Sequence, residues 1–159
     1  MKMKIENVSV MTNKEMFSAL AYARPACVVA LAAQIGVSEA QGTSRRVRVM
    51  LPLRESVSGG SFNLGEVLAV EAVAEVHGRE GYMLRLGDDR ATALAAAAVM
   101  AVAEDDPVLR DEIVAALTIE CALLDRARAS VRAATRATKV RFEGGEVESY
   151  AAADFTTDR

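Results

Sequence analysis

Three observations in the sequence predict an α+β fold in which an antiparallel β-sheet carries an N-terminal αα element and long C-terminal helices packed against it. The first is a change of hydrophobic period: helical spacing up to Gly36, alternation within residues 46–87, then helical spacing again to Thr138. The second is His77-Gly78-Arg79-Glu80, a turn with a glycine between two alternating runs, which closes an antiparallel hairpin. The third is size. At 159 residues, with 52% hydrophobic and 26% charged residues, the chain has the length of one domain and enough apolar material for a core.

Residues 1–12 alternate loosely at Ile5, Val8 and Val10, the pattern of a short strand or an ordered tail. Asn13 is placed to cap a first helix, with Glu15 near its positive end and Met16, Phe17, Leu20 and Ala21 on one face. Pro25 lacks a donor and restricts Arg24, so the helix breaks there and restarts as Ala26–Ile35, stopped by Gly36. Val47, Val49 and Leu51 alternate with Arg46, Arg48 and Met50, a half-buried strand that Pro52 limits. Ser56–Gly65, rich in Gly and Ser, reads as a loop; Glu66–Val76 and Gly81–Gly87 read as strands. Asp88-Asp89 precedes an alanine-rich helix over Arg90–Ala103. Asp106-Pro107 opens another, Asp as N-cap and Pro at the first helical position, with Leu109, Ile113, Leu117, Cys121, Leu124 and Val131 along one side. Unbroken to Thr138, that helix is roughly 30 residues and about 45 Å long. Val140–Tyr150 has two alternating arms around Gly144-Gly145. The organisation is thus a strand or tail over 1–12, one α+β domain over 13–140, and a hairpin or tail over 141–159.

Composition removes several function classes. The net charge of −3 argues against a general nucleic-acid binder. Two distant cysteines, Cys27 and Cys121, and one histidine, His77, make no Cys-x-x-Cys pair and no metal cluster, and suit a reducing cytoplasm. The apolar run over Ala91–Ala103 is too short to span a bilayer, and Glu6-Asn7 after the lysines at the start argues against a signal peptide. What stands out is alanine: 30 of them, against seven aromatics and no tryptophan. Alanine buries little area, so its core is thin unless elements approach closely or a partner covers a face.

The candidate chemistry is sparse. Gly59-Gly60 and Gly65 suggest an anion cradle, but their spacing fits neither a dinucleotide fingerprint nor a P-loop, and an ordinary connecting loop explains them better. Arg45, Arg46 and Arg48 are the one dense basic cluster. Arg46 and Arg48 share a strand face and suit phosphate oxygens or a partner's carboxylates, although charges also protect edge strands from aggregation. Asp88 and Asp89 are a possible carboxylate pair or simply a helix start. His77 belongs to a turn and Cys121 to packing. Glu112 and Glu120, with Arg110, Arg126, Arg128, Arg132 and Arg136, read as solvated helix faces.

One stretch resembles a known family. Phe62-Asn63-Leu64-Gly65-Glu66-Val67, a strand, His77-Gly78, Gly81-Tyr82 and Gly87-Asp88-Asp89-Arg90 before an alanine-rich helix look like the G subunit of the bacterial carbon–phosphorus lyase system, the PhnG family. The likeness extends over roughly residues 14–142. It implies a cytoplasmic subunit of a complex in phosphonate breakdown that transfers the ribose triphosphate of ATP to an alkylphosphonate and releases adenine, while a separate radical subunit later cleaves the C–P bond. It further implies I-, H-, J- and L-type partners, a hetero-oligomer (or a homodimer when isolated), no nucleic acid, no membrane and no cofactor held by this chain alone. Phe62, Asn63, Gly65 and Glu66 are then a functional or interface turn, Arg46 and Arg48 anion contacts, and Asp89 a further ligand or interface residue. The family usually reads Gly-Arg-Asp-x-x-His-Ala-Glu where this chain has Gly87-Asp88-Asp89-Arg90-Ala91-Thr92-Ala93-Leu94, so an Arg, a His and a Glu are replaced. The alternative is a homo-oligomeric binding or scaffold domain that kept the fold and lost the phosphonate role.

Overall fold

The computed structural model describes residues 11–55 and 59–139. The elements run α1 (Asn13–Tyr22), α2 (Pro25–Gln34), β1 (Gln41–Arg54), β2 (Ser61–Val76), β3 (Arg79–Leu86), α3 (Arg90–Ala103) and α4 (Pro107–Ala137). The expected strand before residue 11 and hairpin after residue 139 lie outside the described residues. Two compact units are distinguished, Met1–Arg126 and Ala127–Arg159, and α4 contributes to both.

The first unit is an antiparallel three-stranded sheet in the order β1-β2-β3 with helices on one face, the predicted α+β class. Alternation decides which side chains meet the helices. Val70, Ala72 and Ala74 of β2 stand opposite Arg85, Met83 and Gly81 of β3, and all six are buried. α3 lies against this face and is itself buried nearly all round, from Thr92 and Ala93 through Ala96–Ala103. The approach is very close. A Cβ at Gly81 would stand 1.9 Å from the carbonyl oxygen of Ala97 and 2.6 Å from the amide of Ala101, so only glycine fits. This is where the alanines go: they fill the interior by letting backbones meet, and Met16, Leu20, Val28, Met83, Ile113 and Leu117 fill the remaining volume.

Local details correct several expectations. Thr12, not Asn13, caps α1: its hydroxyl accepts from the Glu15 amide, and Glu15 reaches back to the Thr12 amide at 2.8 Å. The hairpin turn is only His77-Gly78, both at positive φ (50° and 75°), with Arg79 and Glu80 already in β3. β1 is longer than its alternation suggested and continues through Pro52 to Arg54. Proline is tolerated because β1 is an edge strand, and the register shifts between Leu51 and Pro52. Ser61–Gly65 is accordingly strand, not loop.

The helices are tied down by groups that look solvated in the sequence. Glu120 is buried, and its carboxylate accepts from the Arg24 amide (2.9 Å), Nε (2.8 Å) and guanidinium NH2 (2.7 Å), fastening the start of α2 to α4. The Arg24 hydrogen bonds hold the Glu120 carboxyl down at about 2. Arg110 likewise turns inward, donating to the carbonyls of Ala103 and Met11. Arg85, buried, donates to the carbonyls of Leu20 and Ala23 and so satisfies the end of α1.

Candidate functional site

The residues singled out from sequence lie on the outer half of the β1–β2 hairpin and at the start of α3. Arg46 stands opposite Val70, and its guanidinium grips Asp88 with two parallel bonds, Nε to Oδ1 and NH2 to Oδ2, the latter 2.7 Å. That grip holds the Asp88 carboxyl below its usual range. Two residues along β1, Arg48 reaches Glu66 at 3.5 Å. Asp89 caps α3: its carboxylate accepts from the Thr92 amide (2.9 Å) and hydroxyl (2.6 Å), and these bonds lower its pKa.

The Phe-Asn-Leu-Gly-Glu word sits in the first half of β2, in a strand rather than the expected turn. Phe62, Asn63, Gly65 and Glu66 pair with Leu53, Pro52, Leu51 and Met50, and all four are exposed. Leu64 has no partner in this register, so it is the extra residue of a bulge. The bulge resets the alternation and sets Phe62 beside Leu53 on the face away from the helices, while Glu66 stays on the Arg48 side. The Asn63 side-chain nitrogen approaches the Met50 sulfur at 3.9 Å. From Arg46 to Leu53, opposite Phe62, is roughly 23 Å of strand. The structure therefore joins Arg46 to the start of α3 and Arg48 to Glu66, and leaves Phe62 at a distance. Gly59 and Gly60 close the hairpin through backbone bonds with Glu55 (3.1 and 2.8 Å).

The face away from the helices was not identified from sequence. Val47, Val49, Leu51 and Leu53 of β1, Phe62 and Val67 of β2, and Leu86 of β3 form a continuous apolar surface, with Leu86 60% exposed. The Arg45–Glu71 ion pair, beside Leu84, bounds this surface and separates it from Val73 and Tyr82, on whose ring Phe17 stacks with centroids 6.1 Å apart. The signal was available in β2, where Val67-Leu68-Ala69-Val70 is apolar on both sides, the pattern of a strand covered on both faces.

Chemically the arrangement is poor in free groups. Arg24, Arg45, Arg46, Arg48 and Arg79 each meet a carboxylate. Among the described residues no group of three or more His, Cys, Asp or Glu side chains is placed to hold a metal ion. No helix among them is long and apolar enough to cross a membrane.

The family model described as phosphonate metabolism protein PhnG matches residues 11–144. The chain belongs to the PhnG family. Its role accordingly lies in phosphonate metabolism. The PhnG match takes in every candidate residue above, from Arg46 to Asp89, and the apolar sheet face. No curated protein matches the chain.

Proposed function

We propose that this protein is a supporting subunit of a carbon–phosphorus lyase core complex, acting with I-, H-, J- and L-type partners in the cytoplasm. There it assists transfer of the ribose triphosphate of ATP to an alkylphosphonate with release of adenine. The observation that carries the reading is the PhnG match over residues 11–144. The geometry agrees with a supporting role. A triphosphate and a phosphonate together need several uncommitted cations, and Arg46 and Arg48 are each paired with a carboxylate within the chain. The nucleotide site is therefore completed by a partner. This chain contributes the β1–β2 hairpin, with Phe62, Asn63, Gly65 and Glu66, and the open apolar sheet face.

The test is reconstitution. The I-, H- and L-type subunits of the same organism are expressed with and without this chain and given ATP and methylphosphonate, and adenine release is followed by chromatography. The expected result is co-migration with the I-type subunit and adenine release dependent on phosphonate only when this chain is present. Full activity without it, together with failure to co-migrate, would overturn the proposal.

A further inference from the structure

We infer that the last part of α4, in the unit Ala127–Arg159, is a docking helix for a protein partner with an acidic surface. Residues 126–139 contain five cationic side chains (Arg126, Arg128, Arg132, Arg136 and Lys139) and no acidic one, and every residue from Ala127 to Lys139 is exposed. At 100° per residue, Arg128, Arg132 and Arg136 fall within about 80° of one another, and Lys139 lies two residues past the end of the helix. The result is a cationic stripe about 12 Å long. Among the described residues no carboxylate pairs with Arg132 or Arg136.

The stripe works against the helix that carries it, because Arg128/Arg132 and Arg132/Arg136 are like charges four residues apart. Alanine at 127, 129, 133, 134 and 137 supplies the propensity that keeps the segment helical in spite of them. The macrodipole accounts for Arg136 and Lys139 but not for Arg128 and Arg132, since its effect fades beyond the last turn. A second copy of this helix would set cations against cations, so the occupant is a different, acidic surface. Val131, 66% exposed beside the stripe, adds an apolar contact, which favours a protein face over a phosphate backbone. The net charge of −3 points the same way, since it opposes long-range attraction to nucleic acid.

This inference rests on the function proposed above only for the partner used in the test. The full chain is titrated against the reconstituted I-type subunit at low and high salt, beside Arg132→Glu and Val131→Asp. Arg132→Glu creates opposite-charge pairs with Arg128 and Arg136, so it cannot weaken binding by melting the helix; circular dichroism checks this. The expected result is salt-sensitive binding of the unaltered chain, weakened about tenfold or more by each substitution. Tight binding that neither substitution changes would overturn the docking helix and leave the proposed function standing. No binding by the unaltered chain would overturn both. Retention of a 20-base-pair duplex at physiological salt, lost in Arg132→Glu, would replace the acidic protein with nucleic acid.

Discussion

Alternate residues of β2 and β3 meet two different surroundings. Toward the helices Ala72, Ala74 and Gly81 are small enough for α3 to pack backbone against backbone at that end, with Val70 and Met83 filling the space beside them; toward the outside stand Val73, Leu84 and Leu86, left partly or fully exposed. An antiparallel sheet with one covered face usually carries polar residues on the other, and here Val73, Leu84 and Leu86 stand on that other face. The difference teaches where the stabilising work is done. The inner face gains its stability from closeness, and the outer face holds apolar area the isolated chain does not use.

The sharpest way to break the inner face is Gly81→Ala. The added methyl would fall 1.9 Å from the Ala97 carbonyl, against backbone that has no rotamer to yield. A loss of about 3 kcal/mol is expected, the upper part of the range for overpacking, read as a fall of roughly 10 °C in the thermal midpoint. An unchanged midpoint would mean that α3 can shift outward, and the inner face would then not be set by closeness.

The helix layer over that face depends on Glu120, and this gives a pH test. Its folded pKa of about 2 lies below the ordinary glutamate value of 4.5, so the contribution to stability is present above about 4.5 and is lost as pH falls through about 2. Because Arg24 faces water, screening reduces the contribution to about 2–3 kcal/mol. Thermal midpoints measured from pH 7 to pH 2 should fall steeply over the acid limb in the natural chain and less steeply in Glu120→Gln. Parallel curves would remove Glu120 as the cause.

Much of this architecture was legible in the sequence, and the exceptions have physical reasons. α3 was readable to the residue because Asp89 caps it and alanine propensity fills it, and α4 because Asp106 and Pro107 mark its start. β1 and β2 were read short because Pro52 and the Gly/Ser composition signal a break, while an edge strand with a bulge absorbs both. Glu120 and Arg110 were unreadable as interior groups. A charged residue on a helix is usually solvated, and its partner, Arg24 or the Met11 carbonyl, lies about a hundred residues away. Of the candidate site, the residues could be named but not their company. That Arg46 meets Asp88 depends on the hairpin register returning β1 to the start of α3.

Asp89 allows the two roles of that corner to be separated. Asp89→Ala should cost about 1 kcal/mol through loss of the α3 cap, and Asp89→Asn much less, since asparagine also accepts from the Thr92 amide. If Asp89 also serves the complex, Asp89→Asn will lower phosphonate-dependent adenine release while its midpoint stays near that of the natural chain. Equal, small effects of Asn on both would confine Asp89 to the cap.

The smallest stability effect is expected on the outer face, and there its smallness is the evidence. Leu86 is 60% exposed on edge strand β3, beside Ala69 and in line with Val47 across the sheet. Leu86→Lys removes little packing and places a charge where water already reaches, so the midpoint should move by the equivalent of about 0.5 kcal/mol or less. If the proposed complex covers this face, the same lysine would be buried there without a counter-charge, and co-migration with the I-type subunit should fail. Gly81→Ala and Leu86→Lys thus predict opposite outcomes on opposite sides of one strand, the first losing the fold's margin and the second losing the partner. If Leu86→Lys lowers stability as much as Gly81→Ala does, the outer face already belongs to the core of this chain. If it changes neither stability nor assembly, partners dock elsewhere.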